Sequence, residues 1–328
     1  MTARATFVAA VVAAIVLATA GTAMAAQVDY PRNPPPSWLT QSFRDRVDAA
    51  GAKGVPIPLS GPSAIDVCPG AVYHEGGVGT GTCLVYPYGC TANFVYSSTS
   101  QSPAPATADG TLYLGSAGHC SDHVGDVVYG AVSTPGVGPS IVRIGTVSKR
   151  IEQYPDDGNV HDWEAIQVDR GLKVYPDSPV GGPQGIYDGC QVGEPLKYYG
   201  HGYEVEVAQG KPEGGAAATW YDDGYGWAGP ALGGDSGSGV LDASNDEAVG
   251  DLTASAIVYL PAFLPGETIG SRITWILRYS GFYLVNADRT LARDTTSPCG
   301  SAGSTATASS TKSGKGGGGH GGRKKPKK

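Results

Sequence analysis

Three short segments carry side chains suited to nucleophilic chemistry: Ser116-Ala117-Gly118-His119-Cys120, His161-Asp162-Trp163 and Gly233-Gly234-Asp235-Ser236-Gly237-Ser238-Gly239. A serine hydroxyl is a weak nucleophile until an imidazole takes its proton. That imidazole needs a carboxylate to fix its tautomer and to stabilise the imidazolium. The carbonyl under attack becomes an oxyanion, which needs preorganised N–H donors, each worth ~10²–10³ in turnover. Glycine ahead of the serine lets backbone amides turn toward that oxygen without a Cβ in the way. The amides of Gly234 and Ser236 are the two placed to donate.

Chain order separates the architectures that use such parts. An α/β-hydrolase needs G-x-S-x-G followed by an acid and then a histidine. Here the final position of that motif is Ser238, and the only histidine after Ser236 is His320. A subtilisin-like order would put an aspartate before the histidine, and nothing marks one. The order His119, Asp162, Ser236 is that of the chymotrypsin architecture.

The residues accordingly resemble the trypsin/chymotrypsin-like serine endopeptidases, in the style of the secreted bacterial, streptogrisin-like members. Ala117-Gly118-His119-Cys120 and Gly234-Asp235-Ser236-Gly237 match the two signatures of that family. Gly89-Cys90-Thr91-Ala92-Asn93-Phe94 resembles the strand whose cysteine pairs with the one after the histidine. Val192-Gly193 through Gly200-His201-Gly202 resembles the hairpin opening the second barrel, and Ile273-Thr274-Trp275-Ile276-Leu277 the closing helix. The likeness spans roughly residues 80–290.

The resemblance implies an all-β fold of two packed six-stranded antiparallel β-barrels with a short C-terminal helix. It makes His119 the general base, Asp162 its orienting carboxylate and Ser236 the nucleophile, with Gly234 and Ser236 forming the oxyanion hole. It also implies a Cys90–Cys120 disulfide; Cys68–Cys83 and Cys190–Cys299 follow only from what that leaves over. Protein or peptide substrates are implied, and no cofactor or metal. Three departures stand out: Glu164 where the family has a small residue, Ser238 in place of glycine, and no cysteine just before Gly234. The walls of a substrate pocket would be Pro230, Ala231, Thr253, Ala254, Ser255 and Gly270. None is acidic, so small or apolar side chains are expected before the cut, not Lys or Arg. Asp235 needs a buried cation in the family, and Lys197 is the candidate here.

The elements that must position these groups read as strands and tight turns between about 63 and 290. Val127-Val128-Tyr129, Ile141 to Val147, Trp163 to Val168 and Tyr203 to Val207 are β-rich runs bounded by Gly, Pro or Asp. Ser271 to Tyr279 reads as a helix stopped by Gly281. Residues 26–62 form a Pro-rich leader holding a short helix with Leu39, Phe43 and Val47 on one face; it either docks on the body or is a short pro-segment. Residues 291–328 read as a disordered Gly/Ser/Lys-rich tail.

Composition agrees with this class. Of 328 residues, 50 are Gly and 24 Pro while only 16% are charged, which disfavours helical bundles and favours a turn-rich β protein. Seven of the 23 basic residues fall in 312–328 and one, Arg4, near the start; the 15 that remain face all 30 acids. A body that acidic is a poor nucleic-acid binder, whereas the basic tail suits electrostatic contact with an anionic cell surface. Residues 1–25 read as a secretory signal: Arg4, an apolar run from Phe7 to Ala20, then Ala23-Met24-Ala25. At 14 residues that run is too short to span a bilayer, so the chain is expected outside the cell and not membrane-integral. Six cysteines in an exported chain read as disulfides. Asp156-Asp157-Gly158-Asn159 reads as a tight turn more than a calcium loop. Trp220, Tyr221, Tyr225 and Trp227 either line a cleft or pack a loop. His74, His123, His161 and His201 show no partner pattern. Two other functions share these residues: a catalytically silent peptide- or surface-binding protein, and a serine esterase.

Overall fold

The computed structural model describes residues 41–51, 57–58, 74–86, 89–100, 102–155, 157–202, 211–255, 267–296 and 299. The signal segment, Cys68, the Tyr203 to Val207 run and the basic tail lie outside the described residues. Helix α1 (Gln41–Gly51) precedes β1 (Ile57–Pro58), β2 (Gly77–Gly79), β3 (Cys83–Tyr86), β4 (Cys90–Thr91) and β5 (Val95–Ser97). Then follow β6 (Leu112–Ser116), β7 (Val127–Thr134), β8 (Gly138–Gln153), β9 (His161–Val168) and β10 (Lys173–Tyr175). The second half holds β11 (Gly185–Ile186), β12 (Pro195–Gly200), β13 (Lys211–Trp220), β14 (Gly224–Ala228), β15 (Gly239–Asp242) and β16 (Glu247–Asp251). It ends with β17 (Ala254–Ser255), β18 (Thr268–Ser271), helix α2 (Ile273–Ser280), β19 (Tyr283–Val285) and β20 (Leu291–Ala292).

Each half closes into a barrel, the arrangement expected. In the first, β6 pairs with β9, β9 with β8, β8 with β7 and β7 with β3. The segment carrying β4 and β5 completes the ring, because β4 pairs with β3 while β5 pairs with β6. In the second, β15 joins β12, β12 joins β13, β13 joins β14 and β14 joins β18. The β15–β16 pair and a Gly250–Arg272 bridge shut that ring. Six strands per ring leave an interior that side chains can fill. Leu84, Val95, Leu112, Leu114, Ile144 and Ile166 pack the first barrel. Leu196, Tyr198, Trp220, Tyr225, Trp227 and Val240 pack the second. Phe94, Trp163 and Leu241 pack with Ile273, Ile276 and Leu277 of α2.

Two boundaries differ from expectation. β8 runs to Gln153, beyond the apolar run, because Lys149, Arg150 and Ile151 go on pairing with Ala165, Glu164 and Trp163 past a bulge at Val147–Lys149. The polar residues there are half-buried and find acceptors: Lys149 Nζ donates to Ser280 O at 2.7 Å and Arg150 Nε to Ser121 O at 2.9 Å. Helix α2 starts at Ile273, not Ser271, since Ser271 is still in register with Gly224. Gly281 ends it in the left-handed region (φ 75°), its N–H donating to Leu277 O. Part of the leader lies on the body: Ile57 pairs with Ile141. No helix among the described residues is long and apolar enough to cross a membrane.

Candidate active site

Strand β6 delivers the chain into a single 3₁₀ turn, Gly118–Cys120, that carries His119. The Cys90–Cys120 disulfide forms as expected and ties this turn to β4. Gly118 must be glycine here, because a Cβ would stand 1.9 Å from Ile151 O and 2.9 Å from Asp162 Oδ1. The close approach lets Asp162, near the start of β9 and fully buried, hold the histidine at two points. Its Oδ1 accepts from the His119 N–H at 2.8 Å, and its Oδ2 takes Nδ1 at 2.6 Å. With Nδ1 donating to the carboxylate, Nε2 is left as the ring's acceptor. The sequence-predicted His119 and Asp162 are therefore brought together.

Ser236 sits in a turn made by left-handed glycines on either side, Gly234 (φ 106°) and Gly237 (φ 89°). The turn is pinned to the first barrel: Thr91 N–H donates to Ser236 O (2.8 Å) and Thr91 Oγ1 to Gly234 O (2.9 Å). A Cβ on Gly237 would lie 2.2 Å from Ser116 Oγ and 2.9 Å from Ala117 N. Cys120 Sγ lies 3.9 Å from Ser236 O. The serine turn thus packs directly on the turn bearing His119. Ser236 Oγ lies 3.4 Å from Thr253 O. Among the described residues, neither the Gly234 nor the Ser236 amide donates to a protein acceptor.

Among the pocket candidates, Thr253 meets the serine turn, and the others lie on or beside the strands β14, β17 and β18. Ala254 and Ser255 of β17 pair with Ile269 and Thr268, and Gly270 pairs with Tyr225. Pro230 and Ala231 follow β14; Thr268 Oγ1 donates to Gly229 O at 2.8 Å, and Tyr198 hydroxyl to Pro230 O at 2.6 Å. Of the aromatic group read as either lining a cleft or packing a loop, Trp220, Tyr225 and Trp227 are fully buried and stacked inside the second barrel.

Asp235 is buried, accepts from Leu232 N–H (2.9 Å), and lies close against Gly200 and Gly202. Lys197 does not reach it; that lysine pairs with Asp246. The reason is strand alternation: Tyr198 faces the Pro230 side, so Lys197, one residue earlier, faces away. The Cys190–Cys299 disulfide is present. Cys83 is disulfide-bonded too, but Cys68 lies outside the described residues. The Asp157–Asn159 segment is a turn closed on itself, with Asn159 N–H donating to Asp157 Oδ1 at 3.1 Å. His161 pairs with Asp223 and stacks on Trp275, away from the His119–Asp162 pair.

Three groups around Asp162 were not assigned roles from sequence. Tyr154 donates its hydroxyl to Asp162 Oδ2 at 2.5 Å. It follows β8 by one residue, and Glu152 pairs with Asp162, so the β8–β9 hairpin register is the signal that could have found it. Glu164, on the same strand face as Asp162, is buried and accepts from Ser121 Oγ. Burial pushes its carboxyl up to about 8, against the partial relief of Ser121 and Arg150. Asp251, also fully buried, accepts from the Ser271 N–H at 2.9 Å; burial and then the Asp162 charge hold its carboxyl well above the ordinary range. Burial thus disfavours the charged form of both neighbours of Asp162, and Asp162 is the carboxyl group that His119 faces.

Two closed six-stranded β-barrels packed in this way make the fold chymotrypsin-like. No family model and no curated protein matches the sequence. Among solved structures, the chain is similar to Cellulomonas bogoriensis chymotrypsin, at 16% identity over 65% of this chain and 99% of that one (TM-score 0.42). It is similar to Thermobifida fusca protease A at 18% identity, covering 65% and 100% (TM-score 0.42). A glutamic-acid-specific serine protease that uses a histidine triad in substrate binding matches at 18% identity, covering 62% and 98% (TM-score 0.41).

Proposed function

We propose that this chain is a secreted serine endopeptidase that hydrolyses peptide bonds through His119, Asp162 and Ser236. The observation that carries this reading is the two-point hold of Asp162 on His119 beside a serine turn packed on the histidine turn. His119 Nε2 takes the Ser236 hydroxyl proton as Oγ attacks the carbonyl. The tetrahedral oxyanion is received by the Gly234 and Ser236 amides. The imidazolium, stabilised by Asp162, returns the proton to the leaving amine, which leaves an acyl-enzyme. Water then repeats the sequence and releases the acid. Pro230, Ala231, Thr253, Ala254, Ser255 and Gly270 form the pocket for a small or apolar side chain before the cut. The disulfides accord with an oxidising, extracellular setting.

Turnover of casein against turnover of short acyl esters tests the reading. An endopeptidase releases peptides from casein, and Ser236→Ala abolishes the release. Ester turnover with no casein release would point to the esterase, and neither activity to a silent binding protein.

A further inference from the structure

The carboxylate of Asp162 has one more partner than His119 supplies. A carboxylate oxygen offers about two acceptor positions. On Oδ2 they are filled by His119 Nδ1 (2.6 Å) and the Tyr154 hydroxyl (2.5 Å), while Oδ1 takes the His119 N–H. The other hydroxyls nearby are committed elsewhere. Ser271 Oγ meets the main-chain N and O of Asp162 (3.2 and 3.4 Å), and Thr253 Oγ1 lies 3.4 Å from Asp251 Oδ1. Among the described residues, Tyr154 is thus the one side chain besides His119 that donates to this carboxylate. Asp162 is fully buried, so in the folded protein its carboxylate relies on donors from the chain. Tyr154 is itself braced by the Val160, Ala254 and Ile269 cluster.

We propose that Tyr154 is a positioning residue, its hydroxyl fixing the rotation of the Asp162 carboxylate and withdrawing charge from the oxygen that His119 faces. The proposal rests on the catalytic reading of His119 and Asp162. A carboxylate with both Oδ2 positions filled cannot swing away from the ring, and it binds the imidazolium less tightly than an unshared one. The hydroxyl therefore limits how basic His119 becomes, so that the ring can take and return a proton at neutral pH. The other charged or titratable groups around this carboxylate are Glu164 on the same strand, Asp251 on β16, and Arg150 on β8, whose Nε donates to Ser121 O. None of them donates to it.

The test is NMR titration of the His119 ring in the whole protein carrying isotope-labelled histidine, comparing wild type with Tyr154→Phe. Loss of one hydrogen bond of ordinary strength should raise the His119 pKa by about 0.5–1 pH units and move its Nδ1 proton resonance, with the His161 titration unchanged as the control. Site-specific replacement of Tyr154 by 3-fluorotyrosine, a stronger donor that keeps the ring, should shift His119 in the opposite direction. A His119 titration and Nδ1 resonance that move in neither variant would overturn the proposal. The readout needs no turnover, so it stands apart from the protease reading, which fails instead if wild-type protein never turns over substrate. Where turnover is seen, kcat should fall with KM little changed.

Discussion

Replacing Glu164 by glutamine should stabilise the protein at neutral and alkaline pH and flatten its dependence of stability on pH. Glu164 is 1% exposed, bonded by Ser121 Oγ, and opposed by the Asp162 charge two residues away. Burial moves its carboxyl from 4.5 to about 8. Across that window the folded protein keeps a proton that the unfolded chain has lost. Stability must then fall as pH rises, because the unfolded state binds fewer protons than the native one. The loss begins above about pH 4.5 and is complete just past pH 8. At ~1.4 kcal/mol for each tenfold change in proton affinity it totals about 5 kcal/mol. Glutamine has no proton to lose and still offers Ser121 an acceptor. Asp251 is shifted in the same direction, but it contributes equally to both proteins and cancels in the difference. Urea unfolding of both proteins from pH 4 to pH 9 reads the effect. The gap should be near zero at pH 4, open through neutrality, and reach about 3–5 kcal/mol at pH 9, with a Tm gap of about 10 °C. Parallel curves, separated by a constant at every pH, would refute this account of Glu164.

Other substitutions test other parts of the frame. Gly118→Ala drives a Cβ into Ile151 O at 1.9 Å and presses on Asp162. It should cost about 1–3 kcal/mol of stability and, by misplacing the carboxylate, lower kcat about 100-fold, which unfolding and steady-state kinetics would show. Replacing Cys90 and Cys120 together by alanine opens a link with a sequence separation of 30. The expected loss is about 3–4 kcal/mol in denaturant unfolding, with kcat reduced because Thr91, next to Cys90, holds Ser236 O. An unchanged midpoint would mean that the bridge does not constrain the histidine turn. Asp162→Asn should keep the fold and drop kcat by ~10⁴, since the amide presents the wrong tautomer to His119.

Much of the site was legible because its residues sit in contiguous motifs whose chemistry is local. Gly118 and Gly237 mark places where two backbones nearly touch, and His119 and Ser236 stand next to them in the sequence. Strands with clear apolar runs, such as β7 and β9, could be read the same way. What stayed hidden depends on pairing between distant segments. Tyr154 meets Asp162 only through the register of the β8–β9 hairpin, and the polar end of β8 gives no hydrophobic signal for that register. Glu164 could be seen to be unusual, but the upward push on its carboxyl follows from burial that only the folded barrel creates, and its partner Ser121 comes from another turn. Nothing in the sequence around Asp251 marks it, and its burial comes from closure of the second barrel. Lys197, expected to meet Asp235, pairs with Asp246 because Leu196 and Tyr198 take the core side of β12. Composition leaves Trp220, Tyr225 and Trp227 open between lining a cleft and packing a loop, and their strand positions turn them into the core of the second barrel.

The relay from Ser236 to His119 is tested most directly by covalent capture. Native protein is treated with a peptidyl or alkyl phosphonate ester, and the adduct is located by peptide mapping. One phosphonyl group should be found per molecule, on Ser236, forming at a rate that rises with pH as the His119 ring loses its proton. It should be lost in Ser236→Ala and slowed at least 100-fold in His119→Ala. A folded wild-type protein that takes up no phosphonate, or takes it up equally fast without His119, would contradict the account.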